Sequence, residues 1–417
     1  MNRFLIAVLG LAAWQAAGAD VEQRLARGYR LLDDGRLEEA YRELSAAVAA
    51  DPKSLDGRIL LGMASYHLRR DEEAATNFEA ALQLDPGSVQ ANYVLGMVRL
   101  RNNDLDGAER HLERAYGGDM KRADILQPLS QLLMAKGDAP ALARRLEQGR
   151  DAGIANAGLL LSLGWAYAEM GEAGKSEAAM VTGLKLSPQN KMGWLRLVKV
   201  QLQQGQAGRL RALDTLERAR QVQEVAAGWQ HPYLVGLANY MLDRHDVAVA
   251  PLRAAISMAP AEGPIHLLLA MCLTTTRESS TAEQHYRRAL SLDTSNALFH
   301  YYYGLHLRRQ RRMEEAAAEF RAALERDQKL AEAYLNLGLT LDETGKGQEG
   351  IEAIEKAAAL APDLARAYYA LGRIYTRRKE PERASAMMRR FQELKAGEAE
   401  QLQLRMLAGA TSSLEAR

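Results

Sequence analysis

The chain has 417 residues, 47% of them hydrophobic and 26% charged, which gives it ample material for a core and excludes a disordered chain. A net charge of +1 removes any general electrostatic pull towards nucleic acid or anionic membrane. The single cysteine, Cys272, rules out an internal disulfide, so stability has to come from packing. Few prolines and phenylalanines, against abundant Ala, Leu, Glu and Arg, favour helix over strand.

Residues 1–19 are expected to be a cleaved export signal peptide. Asn2 and Arg3 form a short positive region, Phe4 to Trp14 an apolar core, and Ala17-Gly18-Ala19 a small-residue cleavage site before Asp20. The uncharged stretch from Phe4 to Ala19 is 16 residues, short of the roughly 20 that a membrane span needs. No later segment approaches that length, so the mature chain is expected to be periplasmic or secreted, with no transmembrane span.

After the leader the chain repeats itself. Gly28, Gly62 and Gly96 lie 34 residues apart, and Ser130, Gly164 and Val198 continue the step. One step of 38 leads to Gly236, and Ala270, Gly304, Gly338 and Gly372 resume the period. A second column of small residues follows 12 later, as at Ala40, Ala74, Ser176, Ala248 and Ala316, and a third 7 beyond that. Larger apolar residues such as Leu44, Phe78 and Phe320 stand between them. Apolar spacing of i, i+4 and i+7 in two stretches per unit predicts two helices, with small residues where their axes cross. Polar turns such as Asp33-Asp34-Gly35-Arg36 separate them, and a proline near the unit's end punctuates the step. Such a pair cannot bury both its faces alone, so the pairs must stack.

Two units depart from the pattern. The fourth, 123–156, has Ser130, Leu142 and Gly149 in its small positions and Pro128 inside its first helix. The sixth, 191–228, is four residues longer; two of the extra residues are expected in the turn from Gly205 to Gly208 and two after it. An irregular step is expected at each, with a bend between repeats 1–5 and 7–11. Residues 399–408 are expected to form a capping helix and the rest, to 417, a frayed tail.

The stretches "YLNLGLTLDETGKGQEGIEAIEKAAALAPD" at 334–363 and "LLLSLGWAYAEMGEAGKSEAAMVTGLKLSP" at 159–188 resemble the tetratricopeptide repeat (TPR) family. The resemblance covers eleven units from Val21 to Glu398 and implies an all-α, right-handed α-solenoid over 20–398. It also implies that the first helix of each pair lines a concave wall. A stripe on those helices carries Tyr66, Tyr93, Trp165, Tyr233, Tyr240, Tyr301 and Tyr369. It reads as a groove for a partner segment or as filling between repeats. A basic patch of Arg308, Arg309, Arg366, Arg373 and Arg377, interspersed with Glu332, Asp342 and Glu343, suits carboxylates or acidic sugars. Neither the family's chaperone-tail carboxylate clamp nor its asparagine ladder is present; only Asn336 fits the latter.

No catalytic, cofactor-binding or metal-ligating constellation is found. Gly171-x-x-Gly174-Lys175-Ser176 ends like a phosphate loop, but residue 169 is Glu where that motif needs Gly, and no strand precedes it. The eight histidines are scattered and Cys272 lies in an apolar helix. Paired carboxylates such as Glu38-Glu39, Glu72-Glu73 and Glu314-Glu315 suit the positive start of a helix rather than acid–base chemistry. The chain is therefore expected to be a non-enzymatic scaffold that binds a protein or peptide partner. The alternative is a periplasmic component of a polysaccharide-export, pilus or outer-membrane assembly machine, with acidic polysaccharide as partner.

Overall fold

A computed structural model of the chain describes residues 20–154 and 156–394. The leader 1–19 and the capping segment 399–408 lie outside the described residues. Within them there is no strand, and no helix is long and apolar enough to cross a membrane.

The chain divides into two compact units at Ser187/Pro188. The first holds five helix pairs: α1 (20–33) with α2 (Leu37–Ala50), α3 (Leu55–His67) with α4 (Asp71–Leu84), α5 (Val89–Arg101) with α6 (Leu105–Gly118), α7 (Ala123–Lys136) with α8 (Ala139–Asp151), and α9 (Ala157–Glu169) with α10 (Ala173–Leu186). The second holds six: α11 (Lys191–Leu202) with α12 (Gly205–Ala219), α14 (Gln230–Met241) with α15 (His245–Met258), and α16 (Gly263–Thr275) with α17 (Ser279–Leu292). It continues with α18 (Ala297–Arg309) and α19 (Met313–Arg326), α20 (Ala331–Glu343) and α21 (Gly347–Leu360), and α22 (Ala365–Arg377) and α23 (Pro381–Glu393). A single turn, α13 (Gln223–Ala226), precedes α14.

Each pair is held by one complementary contact. Outside the irregular sixth pair, the small residue of the first helix faces a large apolar residue 16 positions on, in the second. An added Cβ at Gly62 would meet Phe78 at 2.9 Å, at Gly96 Leu112 at 2.8 Å, at Gly236 Leu252 at 2.5 Å, and at Gly304 Phe320 at 2.8 Å. Those partners are completely buried, and each contributes about 1.5–3 kcal/mol through its burial. In the second unit these contacts merge into one apolar core from Leu195 on α11 to Leu341 on α20.

The connections are equally regular. Every inner turn closes on one residue in the left-handed region, seven positions after the small slot: Gly35, Arg69, Asn103, Gly137, Gly171 and Gly205, then Asp243, Arg277, Arg311, Gly345 and Lys379. The next N–H then bonds back across the helix end, as Arg70 N does to Ser65 O at 2.9 Å and Arg312 N to Leu307 O at 3.0 Å, which satisfies carbonyls the helix leaves over. Between pairs, a side chain caps the next first helix at α3, α5, α9, α11 and α18: Ser54 accepts from Gly57 N at 3.1 Å and Asn190 from Gly193 N at 2.7 Å.

The two irregular repeats resolve differently. In the fourth, α7 runs unbroken through Pro128 and pairs with α8. In the sixth, the inner turn is not widened: Gly205 holds the left-handed position seven after Val198, and only Gln203 and Gln204 separate α11 from α12. The extra residues do not widen the turn; they lengthen the front of α12. Gly208 makes this fit, since a Cβ there would lie 2.2 Å from the Gln201 carbonyl oxygen. The end of α12 is cut short at Ala219, and the displaced chain forms α13.

Candidate functional site

Two openings in the second unit are lined by first-helix side chains or by the residue that caps one. The first is a cavity of about 80 Å³ against α14, α16 and α18. Its walls are Tyr233, Leu237, Leu267, Leu268, Met271 and Phe299, closed by Pro264, Leu298 and Tyr302, with Asn296 at the start of α18. Leu267 and Leu298 are half-buried at its rim. Ligand pockets run to roughly 300–1,000 Å³, so this one is sized for a side chain rather than a whole small molecule.

The second opening is a cleft of about 270 Å³ across α18, α20 and α22. Arg308, Arg366, Arg373 and Arg377 face Asp342 and Glu343 over a floor of Leu335, Leu339, Ala370 and Ile374. Arg308 Nη2 donates to Glu343 Oε1 at 2.6 Å, and Arg377 pairs with Asp342. Beneath the cleft, Asn336 donates to the Tyr301 hydroxyl at 3.3 Å and accepts from Arg308 Nη1 at 3.4 Å. The cleft thus unites four of the five arginines of the expected basic patch. Arg309 is the exception. It neighbours Arg308 on the same helix, so it points about 100° away, and it is exposed.

The aromatic stripe is less uniform than a groove requires. Tyr233 and Tyr301 are 1% and 2% exposed, and burial raises the pKa of both hydroxyls well above the ordinary value. Both rings are packed rather than open to solvent, although Tyr233 still forms part of the cavity wall. Both stand three before the small slot, a position that faces the following first helix: α16 covers Tyr233 and α20 covers Tyr301. Tyr93 occupies the same position, half-buried, with the Arg122 guanidinium 5.6 Å from its ring. Tyr369 occupies it too, on the last described first helix, and is 41% exposed. Tyr66 is half-buried under Arg101, 4.3 Å from its ring centre. Trp165 is half-buried against the core of repeats 3–5. Tyr240 is half-buried, with its hydroxyl pushed up to about 12 by burial.

A polar feature recurs that the glycine and alanine columns did not reveal. Four residues before the small slot, a polar side chain bridges the preceding inter-repeat link and the second helix of its own pair. Arg58 joins Pro52 O (3.2 Å) to Asn77 (3.1 Å), and Asn92 joins Pro86 O (3.2 Å) to His111 (3.0 Å). His300 joins Thr294 O (3.3 Å) to Glu319 (2.7 Å). His266 Nε2–H donates to Pro260 O at 3.1 Å, which leaves its Nδ1 to accept from His285 at 2.9 Å. The 34-residue spacing of polar residues at 58, 92, 266 and 300 is the signal that would have found these bridges.

The phosphate-loop lookalike is structural. Gly171 is the left-handed turn residue, α10 begins at Ala173, and Ser176 is buried with its hydroxyl donating to Gly164 O at 2.6 Å. Cys272 is buried and its thiol is pushed up to about 12 by burial, which leaves it unreactive. Among the described residues no cluster of His, Cys, Asp and Glu could hold a metal ion.

The family description "Tetratricopeptide repeat" matches residues 25–89, 72–124, 269–331 and 335–399, more than half of the chain. Comparison with curated proteins finds no match. Among solved structures, yeast Tom70 aligns over 94% of this chain and 96% of its own at 12% identity and a TM-score of 0.49. MamA aligns over 40% of this chain and 97% of its own at 22% identity and a TM-score of 0.36. YrrB, described as a TPR protein with an unusual peptide-binding site, aligns over 46% and 97% at 19% identity and a TM-score of 0.36. The repeats make an all-α solenoid of the kind that serves as a protein–protein interaction scaffold. With eleven helix pairs among the described residues and four matched segments, the chain belongs to the tetratricopeptide repeat family.

Proposed function

We propose that the chain is an exported, non-enzymatic adaptor that holds a segment of a partner protein against the first helices of its second unit. One observation carries this reading: the cavity between α14, α16 and α18 is apolar, side-chain-sized and open along the first helices. An extended or helical segment gains affinity by seating an apolar side chain in such a pocket while its backbone runs over the helices beside it. A photo-crosslinking residue at Leu267 or Leu298, in cells that make the protein, is expected to yield a discrete protein adduct. Leu298→Lys, which brings a charge to the rim, is expected to remove the Leu267 adduct. Absence of an adduct from both positions contradicts the adaptor reading. Export rests on the sequence from Asn2 to Ala19, and N-terminal sequencing of the mature protein is expected to start at Asp20. A mature chain that begins at Met1 contradicts it.

A second reading, a component of a polysaccharide-export, pilus or outer-membrane assembly machine, is favoured by the gathering of Arg308, Arg366, Arg373 and Arg377 into one cleft. Guanidinium groups recognise the carboxylates of acidic sugars through paired hydrogen bonds. Failure to bind acidic oligosaccharide at low salt removes this support.

A further inference from the structure

The cleft across α18, α20 and α22 differs from the apolar cavity in kind, and its charges are unequal. Four guanidinium groups face two carboxylates. Even with Glu332 counted, buried at the start of α20, the balance stays positive. Arg308 and Arg377 are engaged by Glu343 and Asp342, and those pairs fix the two acidic residues in place. Arg373 is different. It is exposed, its guanidinium lies 5.9 Å from the centre of the Tyr369 ring, and it makes no ion pair with the described residues. The floor below it is aliphatic.

We propose that this cleft binds an acidic segment of the partner protein, with a carboxylate on Arg373 and an adjacent aliphatic side chain on Leu339 and Ile374. The proposal rests on the adaptor reading and names the chemistry of the segment. An aliphatic floor beside an uncompensated guanidinium matches a peptide in which Asp or Glu alternates with Leu, Ile or Val. It matches an acidic sugar polymer less well. Sugar rings stack on open aromatic faces, and the exposed aromatic ring here, Tyr369, already carries Phe391 at 5.0 Å and Arg373 at 5.9 Å. The carboxylate's attraction is strengthened by the low-dielectric floor and weakened by salt.

The test is selection from a random peptide display library on the immobilised full chain. Enriched peptides are expected to carry Asp or Glu next to an aliphatic residue. Arg373→Glu is expected to weaken them about tenfold or more, and Arg321→Glu, the same charge reversal on the second helix α19, to change little. Both variants are expected to melt with the wild type, since both side chains are exposed. Enriched peptides without acidic residues, or ones that bind Arg373→Glu as they bind wild type, overturn the cleft proposal and leave the adaptor reading standing. A library that yields no binder overturns both. Polygalacturonate is the third probe. If it binds wild type but not Arg373→Glu while no acidic peptide is enriched, the site belongs to an acidic sugar and the proposal fails.

Discussion

Arg69, Asn103, Asp243, Arg277, Arg311 and Lys379 each hold a left-handed backbone that glycine holds in the other five turns. The conformation strains a residue with a Cβ by about 1–2 kcal/mol, offset in part by the lower unfolded-state entropy of a non-glycine residue. Arg277 is exposed, so Arg277→Gly is expected to stabilise the protein by about 0.5–1 kcal/mol. A melting temperature below wild type would contradict this. The histidines supply a second residue-scale prediction. His111, His266, His285 and His306 are all held below the ordinary histidine value, chiefly by burial. A depressed folded-state value means that the unfolded chain takes up protons the folded chain refuses. Their contribution is therefore fully present above the unfolded value near 6.5 and is lost as pH falls through the lower folded values. Melting temperature is expected to drop between about pH 7.5 and about pH 5.5, and a flat profile across that range would contradict the burial of these rings.

At the scale of the helix pair, the tightest crossing is α20 on α21. A Cβ at Gly338 would lie 2.5 Å from the backbone oxygen of Gly350, whereas at Gly304 its nearest neighbours would be atoms of the Phe320 ring, at 2.8 Å and beyond. A ring can tilt and a carbonyl in a helix cannot. Gly338→Ala is expected to cost about 1–3 kcal/mol, and Gly304→Ala less; equal melting curves for the two variants would show that the crossing is looser than drawn. The helix pairs were legible in the sequence because the crossing demands a small residue opposite a large one, and that demand leaves a column every 34 positions. Repeat 6 was misread for an instructive reason. Gly205 and Gly208 look alike as letters, but Gly205 serves a left-handed turn and Gly208 a close approach to the Gln201 carbonyl. Spacing alone does not separate the two uses.

For the whole molecule, the sequence gathered the right arginines without saying how they sit. Arg308, Arg366, Arg373 and Arg377 meet across three first helices, and Arg309 turns away because it is the next residue on the same helix. The tyrosines were harder to place. Position three before the small slot carries Tyr93, Tyr233, Tyr301 and Tyr369, and its exposure is set by what the next first helix lays over it, which no local pattern records. The apolar cavity was legible only in part: Tyr233 belongs to the stripe, but Pro264 and Leu267 on α16 and Leu298 on α18 lie off it. The central claim is that partners bind the first-helix face. Hydroxyl-radical footprinting of the full chain, with and without a captured peptide, tests it most directly. The account predicts protection at Leu267, Leu298 and Tyr369, with exposed Val247 on α15 and Leu360 on α21 unchanged. Protection at Val247 and Leu360, with the first-helix positions unchanged, would contradict it.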